Sequence, residues 1–158
     1  MFKPNLTTDE LVRGALLTFD AIKDDWRYAE MFAGADDRLR RWFDLRENSI
    51  NGGITVAGEL VGLVTFRRPT RNEVELHLIA HRKGRGRWST RGFWRDCCRY
   101  GFRFGQRMSS MVLEENAEER RLLEFAGFRY VDSVWHEVGG RRIVLAVYLM
   151  NAGEQRWQ

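Results

Sequence analysis

The stretch HRKGRGRWS, residues 81 to 89, concentrates charge where a run of apolar residues gives way to a helix-like pattern. Arg82, Lys83, Arg85 and Arg87 surround Gly84 and Gly86, with Trp88 and Ser89 behind them. Glycines let backbone amides approach a ligand closely and form a concave nest, and the first amides of a helix have no intrahelical partner. Together with the helix dipole such amides favour an anion, phosphate above all. On these grounds Gly84 and Gly86 would build the nest, Ser89 would add a hydroxyl in the first helical turn, and the four cations would surround it. Two familiar phosphate loops are excluded: no Lys-Ser or Lys-Thr pair follows the second glycine, and no third glycine completes a dinucleotide fingerprint. Taken alone, the stretch reads equally as a phosphate cradle, a nucleic-acid patch or a solvated basic turn.

The elements that must carry this loop are legible on both sides. Before it, NEVELHLIAH alternates, with Val74, Leu76, Leu78 and Ala80 on one face and Glu75, His77 and Ile79 on the other, as in a strand. After it, Phe93, Cys97, Tyr100 and Phe104 recur at helical spacing with Trp94 alongside, predicting a long helix from Trp88 to about Arg107. Upstream, TTDELVRGALLTFDAIKDDWRYAEMF predicts a helix capped by Thr8, with Leu11, Ala15, Leu16, Phe19 and Ile22 facing inward. A shorter helix, ADDRLRRWFDLRENS, would bury Leu39, Trp42, Phe43 and Leu45. The triplet NGG at residues 51 to 53 reads as a turn, and ITVAGELVGLVTFRR as a hairpin around Gly58-Glu59. Downstream come a strand in SSMVLEEN, a helix AEERRLLEFAGF closed by Gly127, and a final hairpin turning at Gly139-Gly140. This order predicts one α/β domain over residues 1–150 with a mixed sheet, and a frayed tail at 151–158.

Composition narrows the classes. At 158 residues, 44 % apolar and 30 % charged, the chain supports one core, and no apolar stretch approaches the ~20 residues of a membrane span. The N-terminus lacks the layout of a secretory signal, so a cytoplasmic protein with no membrane contact is expected. Cys97 and Cys98 are adjacent, and His77, His81 and His136 are scattered, so no metal site is expected.

The net charge of +4 is uneven: residues 82 to 107 hold nine bases and one acid, Asp96. Arginine outnumbers lysine 23 to 3, favouring fork-shaped contacts with phosphate or carboxylate. Arg87, Arg91, Arg95, Arg99, Arg103 and Arg107 recur every fourth residue. On the expected helix such a row repels itself and calls for acidic partners. These would be Glu114, Glu115, Glu118, Glu119 or the acidic N-terminal helices within the chain, or else a nucleic acid or acidic protein met through Arg87, Arg91, Arg95, Arg99 and Arg103.

The segment NAEERRLLEFAGF decides between the meanings of the loop. It places Asn116 at a strand end, leucines six and seven residues on, and Gly127-Phe128 eleven and twelve residues on. This resembles the GNAT superfamily of N-acyltransferases, whose strand-five to helix-four segment reads Asn, Leu-Tyr and Gly-Phe at those offsets. The same family carries a Gln/Arg-x-x-Gly-x-Gly/Ala loop after strand four. HRKGRG has both glycines, with His81 in the place of Gln or Arg. The resemblance spans roughly residues 50 to 150.

The resemblance implies a mixed, mostly antiparallel sheet whose fourth and fifth strands run parallel and splay apart, with helices on both faces. It implies acetyl-CoA as acyl donor, a primary amine as acceptor and no metal. Leu78, Ile79 and Ala80 would line the pantetheine arm, with a backbone amide there polarising the thioester carbonyl. Gly84, Arg85, Gly86, Arg87 and Trp88 would offer amides to the pyrophosphate, Arg82 and Lys83 would reach the ribose phosphate, and Asn116 would bond the arm or a water. A homodimer is compatible with the family pattern. The N-terminal part, with Trp26, Tyr28, Phe32, Trp42 and Phe43, would shape the acceptor pocket, although aromatics at this spacing also suit a core.

Acyl transfer to an amine needs a base for the amine and a proton for the leaving thiolate. Many relatives use a Glu on strand four, which makes Glu75 and His77, on one strand face, alternative bases here. The family's general acid is a tyrosine seven residues after the asparagine; this sequence has Leu123 there, and Tyr130 is the candidate substitute. Two other classes stay open: a GNAT-fold protein that binds or modifies nucleic acid, and a GNAT domain that has lost catalysis and serves as an interaction module.

Overall fold

A computed structural model describes residues 1–28 and 37–157. Seven strands, β1 (Phe2–Lys3), β2 (Ile50–Val56), β3 (Glu59–Arg67), β4 (Glu73–Ala80), β5 (Arg107–Leu113), β6 (Arg129–Val138) and β7 (Arg141–Asn151), join in the order β1-β2-β3-β4-β5-β7-β6. β4 and β5 run parallel, while β1–β2, β2–β3, β5–β7 and β6–β7 pair antiparallel. Among the described residues four α-helices accompany them: α1 (Thr8–Ile22), α2 (Arg38–Glu47), α3 (Arg91–Gly101) and α4 (Ala117–Ala126). The chain forms two compact units, one of Met1–Phe66 with Leu78–Thr90, the other of Arg67–His77 with Arg91 onward. β4 contributes to both.

In the first unit α1 is capped by Thr7 rather than Thr8, because only Thr7 has a glutamate at the third helical position to reciprocate. The Glu10 amide donates to the Thr7 hydroxyl, and the Glu10 carboxylate accepts the Thr7 N–H. The helix buries Gly14, Ala15, Thr18 and Ile22. Leu16, expected inside, is 48 % exposed. The reason is Gly14: Leu63 packs so tightly there that a Cβ would lie 2.5 Å from its side chain, which rolls the buried stripe toward Gly14 and Thr18. The Thr18 hydroxyl donates to the Gly14 carbonyl and accepts the Trp42 indole N–H at 2.9 Å, so the buried polar groups are satisfied.

The first helix ends at Ile22, earlier than expected, with Lys23 as its cap and a separate tight turn at Trp26–Tyr28; residues 29–32 of the expected helix lie outside the described residues. In α2 Trp42 is buried, while Leu45 is exposed; the Arg46 guanidinium lies 4.2 Å above the Trp42 ring in its stead. The NGG triplet is strand, not turn. Gly52 and Gly53 belong to β2, where a Cβ would strike the Phe2 ring or Leu60. The β2–β3 hairpin turns at Ala57-Gly58, both left-handed (φ 50° and 80°), as a two-residue turn requires.

In the second unit α3 spans eleven residues, not the run from Trp88 to Arg107. Arg107 is already strand, paired with Glu73 and Asn151, so the chain must turn over Phe102–Gln106. Gly105 makes this turn possible, since a Cβ there would come within 2.9 Å of the Asn72 carbonyl oxygen. The arginine row is therefore broken: only Arg91, Arg95 and Arg99 lie on α3, Arg87 precedes it, Arg103 sits in the turn, and Arg107 pairs with Glu73 at 3.2 Å.

α4 starts at its Asn116 cap and stops at Gly127 (φ 103°), and the β6–β7 hairpin turns at Gly139-Gly140, as the sequence predicts. The tail is folded back rather than frayed. Glu154 accepts from the Asn151 amide and from Arg129 at 2.9 Å, while Trp157 packs 5.7 Å from Phe125, with Arg91 and Arg156 stacked on its ring.

Candidate functional site: the short parallel ladder and the loop after it

The β4–β5 ladder is three pairs long: Glu73↔Arg107, Val74↔Met108 and Glu75↔Ser109. It then stops, although β5 runs on to Leu113 and stays paired with β7 throughout. The buried Ser110 hydroxyl marks the divergence by donating to the Leu76 carbonyl at 3.0 Å. Past that bond the edge of β5 carries strand-type donors and acceptors with no ladder partner, the arrangement an extended ligand can complete.

Glu75 and His77, rivals in the sequence, stand together in the second unit. Glu75 Oε2 lies 3.4 Å from His77 Nε2 and 3.6 Å from Arg67 Nη1, with the two side chains 19 % and 38 % exposed. The carboxylate and the imidazole thus stand side by side on one strand face, so the two candidates occupy one place rather than two.

Tyr130 is 48 % exposed, and its hydroxyl lies 2.9 Å from Ser133 Oγ, which donates to Glu114 at 2.7 Å. Leu123 is buried in the core. Sequence reasoning missed Tyr148, a buried residue of β7 whose hydroxyl accepts from Arg120 Nε and donates to Glu124, both at 3.0 Å. Alternation alone marks it only as core. Its hydrogen bond raises the Arg120 guanidinium further above its usual range. Asn116 Oδ1 accepts the Glu119 amide at 3.1 Å, so its carbonyl caps α4 and its Nδ2 is left to donate.

The loop belongs to the first unit. Arg82–Gly84 form a tight turn in which His81 Nδ1 accepts the Lys83 N–H at 3.3 Å. The amides of Gly84, Arg85 and Arg87 donate to the carbonyls of His81, Arg82 and Gly84. The Arg87 guanidinium donates to the Lys83 carbonyl at 2.7 Å. The two glycines serve different ends. Gly84 is buried, with room for no Cβ against Val61 (2.7 Å), whereas Gly86 has open space and a left-handed φ of 74°. α3 begins at Arg91, so Ser89 precedes the helix instead of joining its first turn. Trp88 is buried, and Leu78, Ile79 and Ala80 are half-buried, held close to β3 where a Cβ on Gly62 would meet the Ile79 oxygen at 2.3 Å.

A cavity of about 420 Å³ lies beside this loop, lined by Arg13, Leu16, Leu17, Asp20, Glu59, Leu60 and Lys83. Its lining comes from α1, the β2–β3 hairpin and the loop, which no single motif unites. Among the described residues no group of three or more His, Cys, Asp or Glu could hold a metal ion, and no helix is long and apolar enough to cross a membrane.

The sheet order, the three-pair parallel ladder and the loop that follows β4 define a GNAT-like acetyltransferase fold. A ribosomal-protein-alanine N-acetyltransferase from Brucella melitensis is similar at TM-score 0.73 and 17 % identity, over 96 % of this chain and 99 % of that one. Spermidine N-acetyltransferase from Vibrio cholerae, solved in complex with CoA and spermine, is similar at TM-score 0.72 and 15 % identity, over 98 % and 96 %. A GNAT-family acetyltransferase from Streptococcus pneumoniae is similar at TM-score 0.70 and 13 % identity, over 96 % and 98 %. No protein-family model matches the sequence, and no curated protein does. The likeness is one of fold.

Proposed function

We propose that this chain is an N-acetyltransferase that moves an acetyl group from coenzyme A to a primary amine. The observation that carries the proposal is the parallel ladder that ends after Glu75↔Ser109, followed in the chain by a loop whose Gly86 is left-handed and where an added Cβ would meet nothing within 4 Å. These features fit the donor: strand edges for the arm's amides, open backbone and cations for its phosphates. Bound acetyl-CoA would supply an activated thioester. Leu78, Ile79 and Ala80 would hold the arm, Gly86, Trp88 and Ser89 with Arg85 and Arg87 the pyrophosphate, Arg82 and Lys83 the ribose phosphate, and the Asn116 Nδ2 the arm or a water. The His77 ring, with the Glu75 carboxylate beside it, would take the proton of the incoming ammonium. The amine nitrogen then bonds to the acyl carbon as the carbon–sulfur bond breaks. With Leu123 in the core, the thiolate takes its proton from the attacking amine or from water; Tyr130, already bonded to Ser133, is the weaker donor.

The test is calorimetric titration of acetyl-CoA into the wild-type protein and into Gly86→Trp, with a thermal melt to verify that the variant folds. Micromolar binding that Gly86→Trp loses is the expected result, and no wild-type binding at high protein concentration overturns the proposal. Polyamines and peptides with free N-termini then form the acceptor screen.

A second proposal concerns the cationic face of α3. Among the described residues only Arg95 of α3 has a carboxylate partner, Asp96 at 2.8 Å; Arg91 and Arg103 instead lie over the Trp157 and Tyr100 rings. Guanidinium groups stacked on rings keep their N–H edges for phosphate or carboxylate. Anisotropy with a fluorescent oligonucleotide should show binding that weakens steeply with salt, and its absence at low ionic strength sinks the idea.

A further inference from the structure

His81 does two things at once. Its Nδ1 accepts the Lys83 N–H at 3.3 Å, and its Nε2 lies 3.0 Å from Asp20 Oδ2 on α1. A ring that accepts at Nδ1 must carry its proton at Nε2, so Nε2–H donates to Asp20. The ring thereby caps the turn Arg82–Gly84 and ties that turn to α1. The following bonds, Arg85 N–H to Arg82 and Arg87 N–H to Gly84, continue from it and lead into Gly86. Asp20 is poised for the role, since Lys23 first and His81 second hold its carboxyl below the usual range.

The geometry points to His81 as a positioning residue that holds the loop in the shape that takes the acyl donor's phosphates, and that loosens it in acid. This rests on the acetyltransferase proposal above. A second proton on the ring converts Nδ1 from acceptor to donor, so it faces the Lys83 N–H with a like group, while the bond to Asp20 survives. The cap is lost and the tether kept. The charged groups near the ring are Asp20 and Lys23 on α1 and Arg82 and Lys83 in the loop, while Arg13 of α1 and Glu59 of the hairpin line the same cavity as Asp20 and Lys83. Glutamine would offer an amide oxygen to Lys83 and an NH2 to Asp20 without titrating; phenylalanine would offer neither.

Calorimetric titration of coenzyme A into wild type, His81→Gln and His81→Phe, at about pH 8 and about pH 5.5, separates the outcomes. Coenzyme A's own phosphate titrates over this range, so each protein is compared with His81→Gln at the same pH. Wild type should match His81→Gln at the higher pH and bind roughly tenfold more weakly than it at the lower, the fold-change of one lost cap. His81→Phe should be weaker at both. Wild type tracking His81→Gln at both pH values overturns the inference and leaves the acetyltransferase proposal standing, as does His81→Phe binding like wild type at the higher pH. If neither wild type nor His81→Gln binds at the higher pH, that proposal falls and this inference with it. Should His81→Phe fail to fold, the wild-type and His81→Gln pair still decides.

Discussion

Glu75 and His77 show how one contact changes chemistry. Two residues apart on a strand, they share a face, and Glu75 Oε2 lies 3.4 Å from His77 Nε2. If they work as a unit, Glu75→Gln and His77→Ala should each lower kcat by roughly 10- to 100-fold with little change in KM for the acyl donor. The double variant should then be little worse than either one. Steady-state kinetics measures this, and fully additive losses would mean two independent roles. The glycines of the loop invite a parallel comparison in stability. Gly84→Ala should destabilise by about 1–3 kcal/mol because Val61 leaves no room, whereas Gly86→Ala should lose about 1 kcal/mol through its left-handed backbone alone. Denaturant melts distinguish them, and equal effects would contradict the two separate reasons.

Elements end where particular side chains end them. Thr7→Ala removes the α1 cap and should lower stability by about 1 kcal/mol. Its partner Glu10 is held below the ordinary carboxylate range by the Lys3 hydrogen bond first and the Thr7 amide second, and Glu154 by the Asn151 amide and Arg129. Because the folded-state values are depressed, these groups contribute fully above the ordinary carboxylate range. Their contribution fades as pH falls through the lowered values. Stability should therefore decline with acid from about pH 4.5 downward, and Glu10→Gln should show a shallower decline. An acid profile unchanged by the substitution would remove the cap from the explanation. Ser110 holds the end of the β4–β5 ladder: Ser110→Ala strands the Leu76 carbonyl and should lower stability by about 1–2 kcal/mol.

The adjacent thiols Cys97 and Cys98 report on the second unit as a body. Burial pushes Cys97 well above the usual thiol range and Cys98 up to about 12. Both should ignore a thiol reagent near neutrality and react only as fast as the unit opens, which a time course in and out of denaturant would show. Two thiols reacting promptly in native buffer would contradict the packing of α3. In an assay of the proposed acetyl transfer, the same inertness would leave released coenzyme A as the reacting thiol.

Much of this protein follows from local sequence, because local sequence sets period, caps and turns. Alternation marked β4, Asn116 and Gly127 bounded α4, and paired glycines placed the last hairpin, since each depends on residues within a few positions of one another. The loop after β4 and the Asn116–Phe128 segment carried the GNAT resemblance for the same reason. What the chain does where distant residues meet was out of reach. Gly14 against Leu63 rolled α1 and exposed Leu16, and Gly52 against Phe2 turned an apparent turn into strand. Asn72, facing Gly105, and the pairing of Arg107 cut the expected long helix to α3 and scattered its arginines. Tyr148 between Arg120 and Glu124, and His81 between Lys83 and Asp20, are likewise tertiary facts. Composition and periodicity report what a segment can be alone; close approach between segments decides which glycine, which carboxylate and which ring nitrogen is put to use.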